Sequence, residues 1–204
     1  MADHLSVGKI RDFLKQSTAD AHRKLDASPL VSGLSNGSLA SGAYLAMLQA
    51  YQQFFLPWES AVKQSHPKII GDLGEWRFGK NLWLAEDIKT LGGLSGIPGA
   101  IDPPTDWPGL IGSLYVVEGS TLGGMHLHRS QRGSVAIAGR FFQGYGEETV
   151  PAWKAFVDWL EQQHLSEAEM HRAAEAAKGT FAWFQTKFDD TSRALSLTFP
   201  DCQD

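Results

Sequence analysis

A chain of 204 residues with 43% hydrophobic and 20% charged residues has the composition of one ordinary globular domain, long enough to bury a sizeable core. Its formal net charge of −5 excludes nonspecific nucleic-acid binding, which needs a basic face to displace phosphate counterions. The single cysteine, Cys202, excludes a disulfide framework or a thiolate metal cluster. No apolar run approaches the roughly 20 residues that span a bilayer. The start, Met-Ala-Asp-His-Leu-Ser, has neither the basic nor the apolar part of a secretory signal. The expectation is a cytoplasmic protein with no nucleic-acid or membrane partner, forming one domain over residues 1–204 with short flexible ends.

In chain order, residues 5–26 have helical period, with Ile10, Phe13, Leu14, Ala21 and Leu25 as an apolar stripe. His22 lies on the flank of that stripe. Lys15, seven residues earlier, falls within about 20° of the same face and about two turns away, and Arg11 continues the row. Residues 27–39, rich in Ser and Gly, read as a loop. A helix over 39–64 turns Tyr44, Leu45, Leu48, Tyr51, Phe55 and Trp58 to the core, with Pro57 predicted to bend it. After a short loop, a third helix over 75–91 carries Trp76, Leu82, Trp83, Leu84 and Ile88. Residues 92–105 are irregular by composition.

Asp106 suits the N-cap, and Pro108 the first turn, of a helix over 106–129. A Gly-punctuated stretch follows Arg132 and runs to Gly146, with one short β-like piece at Ser134 to Ala138. Pro151 opens a helix to about His164. Ser166 and Glu169 form a capping box at the start of a last helix that reaches about Phe188. Strand signals are nearly absent, so the expected fold class is all-α, with about six helices in one domain.

The helix over 106–129 is the unusual one. It contains Tyr115-Val116-Val117-Glu118-Gly119-Ser120-Thr121-Leu122-Gly123-Gly124. Each glycine costs a helix roughly 1 kcal/mol relative to alanine. At about 100° per residue, Val116, Gly119, Ser120, Gly123 and Gly124 share one side, nearly bare over about two turns. Such a face admits either a close helix neighbour or a flat ligand.

The Gly-Ser-Thr-Leu-Gly string lacks the preceding strand of a nucleophile elbow, and no Lys-Ser/Thr pair follows it as in a phosphate loop. His126 and His128 point to different sides of a helix. Glu167 and His171 share a face, but the repeated Glu and Glu-x-x-His sets of a di-iron bundle are missing. Heme fits the residues better. One neutral imidazole ligates iron axially, basic side chains receive carboxylate edges, and a bare glycine face passes close over a macrocycle.

On Leu14-Lys15-Gln16-Ser17-Thr18-Ala19-Asp20-Ala21-His22, on Leu114 to Gly124, and more weakly on Glu175 to Phe181, the chain resembles the heme oxygenase family, particularly the bacterial type found alongside bacteriophytochromes. The resemblance implies heme b as both cofactor and substrate, held between an N-terminal proximal helix and a Gly-rich, kinked distal helix. It implies His22 as the iron ligand, and Gly119, Ser120, Thr121, Gly123 and Gly124 as the catalytic stretch over the heme. Lys15, Tyr115, Glu118, Lys154 and Phe181 are implied as further heme-binding residues, with Lys15, Tyr115 and Lys154 at propionate positions. The implied reaction opens heme to biliverdin, ferrous iron and carbon monoxide, using O2 and electrons from a ferredoxin or other reductase. A bacteriophytochrome is the implied acceptor of the biliverdin.

Two positions depart from the better-known members. Thr121 stands where they carry a distal aspartate, and Asp158 stands where a second propionate-binding arginine is expected. Arg129, His126 and the last helix are the alternatives for proton delivery. Two other readings compete: a heme carrier or sensor that does not degrade its ligand, and a non-heme thiaminase-like or di-iron member of the same helical fold.

Overall fold

The computed structural model describes residues 9–129 and 138–198, and among these every regular element is helical. The order is α1 (Lys9–Asp26), α2 (Pro29–Asn36), α3 (Ser41–Ser65), α4 (Pro67–Leu73), a 3-10 turn (Glu75–Phe78), α5 (Lys80–Thr90) and α6 (Trp107–Arg129). Then come α7 (Arg140–Gln143), a second 3-10 turn (Gly146–Glu148), α8 (Thr149–Glu161) and α9 (Glu167–Thr198). The long helices α6 and α9 form the central pair. α1 and α3 pack on α9, while α8 lies against α6 and α1. No described helix is long and apolar enough to cross a membrane.

The α6–α9 crossing depends on Gly112. A Cβ there would stand 2.9 Å from the Ala173 carbonyl carbon and 2.9 Å from the Ala177 nitrogen, both backbone atoms that cannot rotate away. Around this crossing the core is aromatic. Tyr51 of α3 meets Phe141 at 4.9 Å, Phe184 at 5.3 Å and Phe188 at 5.1 Å between ring centroids. Buried carboxylates tie the shorter pieces to this core. Glu59 of α3 accepts from the Lys80 N–H at 2.7 Å, and Asp87 of α5 accepts from the Phe141 N–H at 2.8 Å and the Arg140 N–H at 3.0 Å.

Several boundaries differ from the sequence expectation. Residues 27–39 contain a helix: Pro29 takes a first-turn position, Gly37 closes the end at φ 76°, and Leu30 and Leu34 are buried. Pro67 opens α4 in the same way, inside what reads as a short loop. The third predicted helix is broken at Gly79, and Trp76 and Leu82 are exposed, not core. α3 runs through Pro57 without interruption. α8 stops at Glu161, whereas α9 continues ten residues past Phe188 to Thr198. Both predicted caps are formed. The Gly109 N–H donates to Asp106 at 2.9 Å, and the Ser166 hydroxyl donates to Glu169 at 2.7 Å. Residues 134–137 of the β-like piece, and Cys202, lie outside the described residues.

Candidate heme site

A cavity of about 520 Å³ lies against α6, walled by residues of α1 on one side and of α9, α8 and α3 around it. His22 is on its α1 wall. Asp26 follows four residues later, one helical turn along the same face, and its Oδ2 lies 2.8 Å from His22 Nδ1. With the carboxylate as acceptor, Nδ1 carries the proton of the neutral imidazole, leaving the Nε2 lone pair to a metal. The edge of the Phe181 ring, from α9, sets the plane of the imidazole at a centroid distance of 5.5 Å. Phe181 is buried and also lines the cavity.

The facing wall is the glycine stretch of α6. A Cβ added at Gly123 meets nothing within 4 Å, and one at Gly119 reaches only the Trp153 ring, at 3.8 Å. These two positions open the cavity. Gly124 also lines it, yet a Cβ there would lie 3.1 Å from Phe142 Cδ1, so this glycine serves the contact with α7. The bare face is therefore divided between an open cavity and a helix contact, by different glycines. Ser120 is exposed on this wall, and its hydroxyl donates to the Val117 carbonyl at 2.8 Å, turning oxygen lone pairs outward.

Two phenols complete the lining. Tyr115 packs its ring against Trp153 at 6.1 Å. Burial pushes its hydroxyl above the usual phenol value, against the pull of the nearby Arg11 guanidinium and a hydrogen bond with Thr18. Burial likewise raises Tyr51, and the Asp26 charge adds to the effect.

Four of the residues expected here stand elsewhere. Glu118 precedes Gly119 by one residue, about 100° around the helix, and so faces away from the cavity. It is buried, with Arg77 Nη1 at 2.5 Å, Lys80 Nζ at 3.0 Å and the Tyr145 hydroxyl donating at 2.8 Å. Its role is to neutralise buried cations, and the cofactor-binding expectation is corrected on that ground. Thr121 is buried too, bonded back to the Val117 carbonyl at 2.9 Å and packed towards Gly144. Of these two α6 hydroxyls, the one on the cavity wall is that of Ser120. Lys154 is exposed beyond Trp153 and pairs with Asp158 at 2.8 Å. Lys15 is exposed on α1 and does not line the cavity either. The side chains of His126 and Arg129 lie outside the described residues.

Asp26, Tyr51 and Trp153 were missed by sequence reasoning. The His-x-x-x-Asp spacing was a usable signal for Asp26. Nothing local marks the other two, which arrive from α3 and α8 only on folding. Among the described residues no group of three or more His, Cys, Asp or Glu side chains comes together to hold a metal ion. The donor set of the cavity is instead one imidazole facing a bare helix, lined by apolar side chains such as Leu25, Val116 and Leu127. That arrangement fits a flat iron macrocycle, whose own nitrogens supply the other ligands.

The comparisons with known proteins agree. A family model described as heme oxygenase matches residues 100–190, the span from before α6 into α9. A curated heme oxygenase of Xanthomonas campestris pv. campestris is 26% identical over 166 residues, covering 77% of this chain and 95% of that protein. The fold is shared with solved heme oxygenases. The Neisseria meningitidis enzyme, solved with NO and CO bound, superposes with a TM-score of 0.71 at 20% identity, over 89% of this chain and 91% of that one. The Leptospira interrogans enzyme gives 0.72 at 16%, over 89% and 98%. In its all-α fold, its bare-faced helix opposite a histidine and its sequence over residues 100–190, the chain is similar to the heme oxygenases.

Proposed function

We propose that this protein binds heme b as cofactor and substrate, with His22 as the axial ligand, and opens it to biliverdin, ferrous iron and carbon monoxide. O2 and electrons from a ferredoxin or other reductase complete the reaction. Residues 1–204 act as one unit, in the cytoplasm, and the product is suited to be the chromophore of a bacteriophytochrome. The observation that carries this reading is the pairing of His22 Nδ1 with Asp26 across from the open helix face at Gly119 and Gly123.

Bound heme supplies the iron that activates O2 and the ring carbon that is oxidised. The chain's residues do the rest. Asp26 would hold the imidazole in one tautomer, leaving the Nε2 lone pair to the iron. Phe181 keeps the imidazole ring from turning. Gly119 and Gly123 let the helix backbone approach, leaving space for a diatomic ligand but little more. The Ser120 hydroxyl, an acceptor on the cavity wall, would hold a water there, and that water would carry the proton. Tyr115, with the Arg11 guanidinium near it, would receive the propionate edge.

The test is reconstitution with hemin, then reduction in air by ascorbate or a ferredoxin system. Loss of the Soret band with growth of a broad red absorbance is expected, and His22→Ala should abolish both the ligated spectrum and the conversion. A stable heme spectrum under every reductant would reject the enzyme reading. It would favour a non-degrading heme carrier, the alternative supported by the lack of an acidic side chain among the described α6 residues that line the cavity.

A further inference from the structure

A second cavity, of about 680 Å³, shares no lining residue with the heme cavity. Its walls come from the 3-10 turn before α5, from α5 itself, from α7 and from the start of α8. It contains no histidine, and nothing in the proposed reaction uses it. Its volume falls within the range of about 300–1,000 Å³ typical of small-molecule sites.

Three aromatic rings form its interior corner. Trp76 meets Tyr145 edge-on at 4.6 Å and 82°, and Trp83 meets the same ring at 5.7 Å and 76°. The corner is held in place from behind. A Cβ at Gly74, where φ is +90°, would lie 2.8 Å from Trp76 Cδ1, so the indole rests directly on the backbone. Lys80 and Glu118 both hydrogen-bond the Tyr145 hydroxyl, at 2.5 and 2.8 Å. Trp76 nevertheless remains 52% exposed at the mouth, which leaves part of its apolar indole in water.

Charge decides what kind of ligand suits this corner. The Arg77 guanidinium lies 4.5 Å from the Trp76 ring, and the Arg140 guanidinium 4.0 Å from the Trp83 ring. Both aromatic faces are thus already engaged by cations, which disfavours a cationic guest. The Arg77 charge is taken up by Glu118. Arg140 has five N–H donors, and among the described residues its guanidinium hydrogen-bonds one acceptor, the Gly144 carbonyl, at 2.9 Å, while the Asp87 carboxylate acts on its charge without a hydrogen bond to the guanidinium. Glu148, an acid on the lining, is exposed. We propose that this cavity is a second binding site, which takes a planar conjugated molecule carrying a carboxylate or sulfonate: the π system packs on Trp76 and Tyr145, and the anion pairs with Arg140.

The test is a fluorescence titration of the hemin-loaded protein with 1-anilinonaphthalene-8-sulfonate, repeated on the unloaded chain. Saturable binding that survives hemin loading is expected. Trp76→Ala and Arg140→Gln should each weaken it at least about tenfold, which corresponds to 1.4 kcal/mol. The melting temperature and the hemin titration should not move. The uncharged analogue N-phenyl-1-naphthylamine should bind at least about tenfold more weakly than the sulfonate, the same 1.4 kcal/mol for the lost ion pair. Wild-type affinity in either variant, equal affinity for the uncharged analogue, or loss of binding on hemin loading would overturn the proposal. Hemin binding is read separately from the Soret band, so failure of the heme reading would leave the two variants to judge this site on the unloaded chain.

Discussion

At the scale of single residues, two acids close in sequence to the heme wall have opposite duties. Asp26 touches the imidazole that would hold iron, and Glu118 touches cations on the far side of α6. Asp26→Asn keeps an acceptor for Nδ1 but removes the negative charge beside it. Second-sphere carboxylates of this kind are worth about 10- to 100-fold in metal affinity or activity. A hemin titration by Soret absorbance should show a loss within that range, with the fold unchanged. Glu118→Gln leaves Arg77 and Lys80 buried without their carboxylate, an error that costs about 3–5 kcal/mol. Denaturant unfolding should register that loss, while hemin affinity measured on the folded fraction stays near wild type. The reverse pattern, stable protein with poor heme binding, would restore Glu118 to the heme site.

At the scale of the element, α6 carries glycines that look alike in the sequence and differ in the fold. Gly112→Ala would drive a methyl into the α9 backbone at Ala173 and Ala177, and α6 and α9 would have to separate. Overpacking of that kind costs about 1–3 kcal/mol or more. Gly123→Ala meets nothing, and alanine is better than glycine in a helix by up to about 1 kcal/mol. Thermal melts without heme should therefore move in opposite directions, down for Gly112→Ala and up for Gly123→Ala. The Gly123→Ala gain should come with slower heme turnover, because its methyl narrows the cavity. Helical periodicity found α6 and its bare face correctly. It could not divide the face between a neighbour helix and a ligand, because a glycine's missing side chain is the same in both roles. The same limit explains Thr121 and Ser120. Both hydroxyls bond back to the Val117 carbonyl, and the turn of the helix alone puts Ser120 on the wall and Thr121 inside.

At the scale of the whole molecule, buried carboxylates tie α3 to α5 and α5 to α7, and they make stability depend on pH. Burial holds the Glu59 and Asp87 carboxyls above their ordinary values of 4.5 and 3.8, outweighing the backbone N–H groups that pull them down. A carboxyl raised in the folded state favours folding fully below its unfolded value. That contribution is lost as pH rises through the folded value, because the unfolded chain gives up its proton first. Melts followed upward from about pH 4 should show this loss. Glu59→Gln, which stays neutral throughout, should fall less steeply than wild type. Identical slopes would mean that Glu59 does not titrate differently on folding.

The sequence by itself determined the all-α class, the positions of α1, α3, α6 and α9, and the bare face of α6. Each of these is written in local period, caps and composition, and none needs a distant partner. Short helices such as α2 and α4 escaped, because in two turns Pro and Gly caps count for more than periodicity. Only the tertiary structure decided which side of α6 Glu118 serves, which hydroxyl faces the cavity, and that Tyr51 and Trp153 join its wall. These depend on how helices far apart in the chain are rotated against one another. Packing sets that rotation, through contacts as specific as Gly112 on the α9 backbone, and no single segment carries it.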